Sequence, residues 1–227
     1  MKRNSPGLLI IITLLVMLMH LAGCGGASRS NRWSAQLSSG DSPVSVFEGG
    51  YGNDSEGTVI IVTDGNSLLI HGFSRSQMLY GSGDLTGEGT FEGILHSFNS
   101  RGTPQGNMKG IIGQDSIAGE MLFGDDRLEF HCAPPSADTK PRPAGAFEGK
   151  TEQGNIAIKL MSGADGTVVG FITDKSDGKT YWFYTGAEGD GSFSSSLRSH
   201  GSHGRISGII TSTGASGSFE VSPGEEI

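Results

Sequence analysis

The most restrictive feature of this sequence is where its glycines fall. The pattern apolar-x-Gly-x-apolar recurs as Phe91-Gly93-Leu95, Met108-Gly110-Ile112, Ile117-Gly119-Met121, Val168-Gly170-Ile172 and Ile206-Gly208-Ile210. Residues two apart share one face of a strand, so each triplet puts Gly in the middle of an apolar face. An interior Gly costs a helix about 1 kcal/mol relative to Ala. A chain with 38 Gly among 227 residues is therefore a poor helical protein. In a sheet, mid-strand Gly marks sharp bending or the close approach of another backbone. Such kinks are what curve a sheet towards closure. With 8 Pro and no three-residue Gly period, collagen is excluded. The pattern predicts narrow, barrel-like sheets in which large rings such as Phe91, Phe193, Phe73 and Phe171 cover the vacant Gly positions.

The rest of the chain fits an all-β class with no helix after the N-terminal leader. Short β-prone runs occupy 58–63, 67–73, 90–97, 108–112 and 117–123, then 155–160, 167–173, 180–184, 192–197, 206–211 and 218–221, with 127–131 as one more. Asp64-Gly65, Asp165-Gly166 and Asp177-Gly178 separate runs, and Asp-Gly is favoured in tight hairpins. Turn signals every eight to twelve residues indicate antiparallel meanders rather than βαβ units. Most runs have five to seven residues, short of the 9–11 that a membrane-spanning strand needs. Abundant Gly and Ser would also suit disorder, but disorder needs neither alternation nor hairpin turns.

It does not need a duplication either, and one is present. Phe47-Glu48-Gly49 recurs as Phe147-Glu148-Gly149. GTFEGILHS from Gly89 recurs as GSFSSSLRS from Gly191, and GNMKGIIGQDSIAGEML from Gly106 as GRISGIITSTGASGSFE from Gly204. The offsets of 100, 102 and 98 keep the copies in order with small loop changes. The expected organisation is two tandem Gly-rich meander units of about 14–16 strands in total, 45–132 and 145–223, with a Pro-rich linker at 133–144 and a tail at 224–227.

The N-terminus follows different rules. Lys2 and Arg3 precede a run from Leu8 to Met19 that is apolar except for Thr13. Twelve helical residues span about 18 Å, against roughly 30 Å of bilayer core. Basic, apolar and small-residue segments in that order form an export signal. Leu21-Ala22-Gly23-Cys24 resembles the lipobox of bacterial lipoproteins. The resemblance implies that the Cys24 thiol is diacylated, that residues 1–23 are a signal peptide removed before it, and that the two acyl chains form an effectively permanent anchor. Gly25, where Asp would resemble inner-membrane retention, resembles the outer-membrane class.

Cleavage would leave 14 basic and 24 acidic residues, a balance that argues against nucleic acid as partner. Cys132 would be the one remaining thiol, so no disulfide can form within the chain. Residues 24–44 read as a flexible polar tether. Trp33 is its single aromatic, either dipping among headgroups, packing on a domain or partly exposed.

Chemistry is sparse. Asp64, Asp84, Asp165, Asp177 and Asp190 sit near Gly but form no calcium loop, and turn capping accounts for them. His200 and His203 read as an exposed hairpin, and His71 and His96 as solvent-facing or satisfied. Cys132, beside His131, reads as an inert buried thiol, because neighbours in a strand face opposite ways. No catalytic residue, metal site or cofactor is expected. In 180–184, alternation puts Tyr181 and Phe183 on one face and Trp182 and Tyr184 on the other, which is either an exposed contact patch or a second face covered by neighbouring strands.

The expectation is a non-enzymatic, membrane-anchored envelope lipoprotein that presents a duplicated barrel-like module for binding or interaction at the cell envelope, a protein partner among the candidates. It resembles in outline the tethered Gly-rich barrels of transferrin-binding and complement-factor-H-binding lipoproteins. Two alternatives are a carrier of a small apolar ligand in a calycin-like barrel and a structural envelope protein.

Overall fold

The structure, a computed structural model, describes residues 29–38, 44–52, 57–99, 105–135, 142–199 and 201–223. It is all-β, with sixteen strands in two closed antiparallel barrels. Their order is β1 (Arg29–Leu37), β2 (Ser45–Tyr51), β3 (Gly57–Thr63), β4 (Ser67–Ser74), β5 (Gln77–Leu85), β6 (Thr90–Asn99), β7 (Gln105–Ile112) and β8 (Ile117–Phe123). There follow β9 (Asp126–Ala133), β10 (Gly145–Thr151), β11 (Ile156–Ser162), β12 (Thr167–Asp174), β13 (Thr180–Gly186), β14 (Ser192–Ser199), β15 (Ser202–Ile210) and β16 (Gly214–Pro223).

Barrel one is eight consecutive strands, β2 to β9, closed where β9 pairs with β2. Barrel two is not consecutive. Its seven strands β10 to β16 are closed by β1, which lies between β10 and β16. The copies are thus circular permutations of one barrel, and barrel one is inserted between the first and second strands of barrel two. The correspondence extends to the register. Gly49 faces Cys132 across β2–β9, while its repeat Gly149 faces Ala35 across β10–β1. β1 therefore takes the place of β9, and Trp33 that of Phe130.

This corrects the expected tether. Residues 29–37 are a barrel stave, and Trp33, at 3 % exposure, is core. The stave is polar because only alternate residues face in, and two of those are the small Ala35 and the polar Asn31. Residues 24–28 and 39–43 of the expected tether lie outside the described residues, as do the leader, Leu21-Ala22-Gly23-Cys24 and 224–227.

The mid-strand glycines lie inside the barrels, where an eight-stranded wall leaves room only for side chains. Gly110 and Gly119 face each other across β7–β8, and their repeats Gly208 and Gly217 do so across β15–β16. A Cβ on Gly110 would meet the Phe91 ring, one on Gly119 the Phe130 ring, and one on Gly208 the Trp33 and Phe193 rings. Gly170 is covered by Phe183. Phe91 and Phe193 are covering rings, as the sequence suggests. Phe73 and Phe171 are not, because their strand positions face outward; Phe73 is 38 % exposed and Phe171 packs between the barrels. Each interior is an apolar cluster closed on itself. At the turns, Gly65, Gly166 and Gly178 adopt positive φ, as the Asp-Gly pairs require.

A third cluster joins the barrels. Ile60, Val62, Leu69 and Tyr80 on the outside of barrel one pack against Ala146, Met161, Val169 and Trp182 on the outside of barrel two. Strands β3 and β4 are consequently apolar on both faces, so TVIIVT reads as an unbroken apolar run instead of an alternating one. The Lys159 ammonium crosses the junction to the Ser67 hydroxyl (3.0 Å) and lies 3.3 Å from Glu148. The end of the linker is fixed too: Arg142 donates to the Asp165 carbonyl at 2.8 Å.

Candidate functional site

The aromatic alternation in β13 is as the sequence suggests, but its partner lies within the chain. Tyr181 and Phe183 face the core of barrel two. Trp182 faces outward and is buried against barrel one, close to Tyr80, Phe171 and His96. Tyr184 is half-buried and stacks on His71 at 4.3 Å between ring centroids. These two residues are therefore the joint between the barrels and not an exposed contact patch. The correction arises because barrel one supplies a complementary apolar face that the sequence of β13 alone does not reveal.

His71 sits at the centre of this joint. It is 4 % exposed, packs against Phe73 and Tyr80 as well as Tyr184, and its Nδ1 has no hydrogen-bond partner. Burial pushes its pKa down to about 4, with a backbone hydrogen bond at Leu79 acting in the opposite direction. The imidazole is thus neutral in the folded protein near pH 7, and its setting is structural. It is not solvent-facing and not fully satisfied, contrary to the sequence reading.

The remaining candidates separate cleanly. Cys132 is buried, and burial pushes its thiol up to about 12, which leaves no thiolate for nucleophilic chemistry. His131 points outward and is exposed. His203 is exposed, and His200 lies outside the described residues. Asp64, Asp165, Asp177 and Asp190 each accept a backbone N–H two residues on, in turns. Asp84 differs: it is on β5 and faces outward. Among the described residues no three His, Cys, Asp or Glu side chains are placed to hold a metal.

The feature that stands out is an outer face of barrel one. A groove of about 550 Å³ runs over β6 to β9, floored by Phe91, Gly110 and Gly119 and bordered by Ile111, which is 60 % exposed. Across it runs a row of facing residues, Glu92–Lys109–Glu120–Glu129, one from each of its four strands, and Asp84 on β5 extends the row beyond the groove. Lys109 and Arg127 both pair with Glu120, at 2.9 and 2.5 Å, and Arg127 also reaches Glu129 at 3.3 Å. The hydrogen bond from Lys109 and the charge of Arg127 hold the Glu120 carboxyl below its ordinary range.

In barrel two the same row reads Ser194–Ser207–Ser218–Arg32. The bordering isoleucine is retained as Ile209 at 42 % exposure. The interior thus stays apolar in both copies, though not residue for residue (Ser195 stands where Gly93 is), while the outer row exchanges its carboxylates and Lys109 for three hydroxyls and Arg32. The signal was in the sequence. Within the aligned repeats, Glu92, Lys109 and Glu120 stand opposite Ser194, Ser207 and Ser218, and only a column-by-column comparison of outward positions brings it out.

No known family model, curated protein or solved structure matches this chain. Its role must therefore be read from its own residues.

Proposed function

We propose that this chain is a non-enzymatic envelope lipoprotein, anchored through Cys24 after removal of residues 1–23, whose barrel one presents a binding face built on Glu92, Lys109, Glu120, Arg127 and Glu129. The observation that carries the reading is the divergence of the two copies. Both keep an apolar interior, and only one carries a row of carboxylates paired with cations beside an exposed isoleucine. A duplicated scaffold that keeps its core and alters one outer face has a surface free to specialise. Mixed charges beside an apolar border suit a protein partner, since polar rims around apolar anchors are the usual anatomy of interfaces. Gly25 after the lipidated Cys favours the outer membrane. The carrier alternative has lost its support, because the space above the interior glycines is filled by the chain's own rings.

Two measurements test this reading. Metabolic labelling with palmitate marks the mature protein, and Cys24→Ala abolishes the label; a labelled Cys24→Ala protein contradicts the anchor. A photo-reactive residue placed at Ile111 in living cells gives a defined cross-linked species that Arg127→Glu weakens, whereas the same probe at Ile209 does not. Equal adducts at both positions, or none at either, contradict the binding face.

A further inference from the structure

We propose that the cleft between the barrels, beside Asp84 and Glu92, receives a guanidinium group, the side chain of an arginine on the partner protein. The inference rests on the binding face proposed above and adds the chemistry of the group that anchors the partner there.

The joint is built from the same wall of both copies. On barrel one the facing residues Glu48–Ile60–His71–Tyr80–His96 form a row across β2 to β6. On barrel two the equivalent row is Glu148–Lys159–Phe171–Trp182–Arg198. Tyr80 and Trp182 are therefore counterparts, and their rings meet at 6.1 Å between centroids. An interface in which counterparts meet is isologous, so each contact has a reciprocal. Trp182 lies beside His96, with centroids 5.8 Å apart. In return Arg198, the counterpart of His96, is close enough to Tyr80 for its charge to pull against burial, which pushes the phenol up to about 12.

One reciprocal pair is broken. Tyr184 stacks on His71 at 4.3 Å. The counterparts of these two are Ser82 and Phe171, since Leu69 faces Ser82 as Val169 faces Tyr184. A hydroxymethyl group thus stands where a phenol ring would cover Phe171. Ser82 and Phe171 instead line a cleft of about 230 Å³, with Asp84, Glu92, Ile94 and Lys159 around it.

The carboxylates occur on this side of the joint only. Asp84 and Glu92 face each other across β5–β6, where like charges repel. Neither is in an ion pair among the described residues. Their counterparts on the filled side are the uncharged Gly186 and Ser194. Lys159, the cation that lines the cleft, is held by the Ser67 hydroxyl at 3.0 Å and by Glu148 at 3.3 Å. The cleft therefore asks for a flat group on the Phe171 face that brings positive charge and several N–H donors. A guanidinium is planar, stacks on aromatic rings and forks its donors onto carboxylates. An ammonium supplies the charge without the flat face. Glu92 borders this cleft and the outer groove alike, so a protein seated on the groove reaches the cleft. That continuity makes a partner protein the source of the group.

The test uses the mature chain carrying Cys24→Ser, with argininamide as the probe, followed by nuclear magnetic resonance. Saturable shifts are expected at the amides of Ser82, Gly83 and Gly93, with lysinamide binding several-fold more weakly. Ser82→Tyr restores the broken pair with the residue its counterpart already carries, and is expected to abolish saturation. Asp84→Asn combined with Glu92→Gln, which keeps the shape of the cleft, should weaken binding at least tenfold. Absence of saturation, equal binding of lysinamide, or saturation unchanged by these variants overturns the site. In cells, the adduct formed from Ile111 is expected to weaken several-fold in Ser82→Tyr. An unchanged adduct overturns arginine as the anchor and leaves the binding face standing. No adduct at Ile111 overturns the binding face itself, and the partner as source of the guanidinium with it.

Discussion

At single positions, glycine here means contact between backbones. A Cβ on Gly217 would run into the Ser207 carbonyl oxygen and the Gly208 Cα, neither of which can rotate away. Gly217→Ala is expected to lower stability by about 1–3 kcal/mol in urea unfolding, the range for overpacked cores. Gly186, whose Cβ would meet open space, is the internal control. Gly186→Ala is expected to be neutral or mildly stabilising, within about 1 kcal/mol. His71 supports a second expectation. Its folded pKa is near 4, while an unfolded histidine titrates near 6.5, so the unfolded chain binds the extra proton between those values. The stability due to the neutral ring is complete above pH 6.5 and is lost progressively as pH falls towards 4. The loss amounts to roughly 3 kcal/mol. The half-buried His96, lowered by the same cause, acts in the same direction. Urea midpoints measured from pH 7 to pH 4 should fall more steeply in the wild type than in His71→Phe, which keeps a ring against Tyr184 and removes the proton site. Parallel curves contradict the assignment.

At the level of elements, the two barrels differ most in one wall. β5 and β6 are paired in register over nine positions, but their counterparts β13 and β14 meet in register only at Trp182 and Arg198. Hydroxyls bridge the gap instead: Ser195 Oγ donates to the Tyr184 carbonyl at 2.8 Å and Thr185 Oγ1 to the Ser194 carbonyl at 2.9 Å. Hydrogen exchange should therefore be faster for amides in 192–197 than for those in 90–97; equal protection would show that the seam is closed in solution. The serine run of β14 has a structural use that composition alone does not suggest. Legibility followed the same physics. β3, β4, β6 to β9 and β11 to β16 show in the sequence because β-branched and aromatic residues alternate or run together. β2 and β10 show only as a repeated Phe-Glu-Gly. β5 hides behind Gly81, Gly83 and Asp84, and β1 behind an inward face of Asn31, Trp33 and Ala35. The outer groove was hidden for another reason: its residues are ordinary surface charges until register sets them side by side.

For the whole molecule, the duplication explains why the same glycine pattern appears twice and why the two halves nonetheless close differently. Barrel one contains all its staves between residues 45 and 133, so it depends on no distant segment. Barrel two must bring β1 to β10 and β16, more than a hundred residues further along the chain, and cannot close before the last strand is made. Deletion of Arg29–Leu37 separates permuted closure from a barrel that closes without β1. Hydrogen exchange followed by mass spectrometry would compare the mature chain, carrying Cys24→Ser to keep it in solution, with the same chain lacking those nine residues. Permuted closure predicts that peptides from β10 and β16 lose their protection while those from β3 to β8 keep slow exchange. Unchanged protection of β10 and β16 in the deletion variant would contradict it.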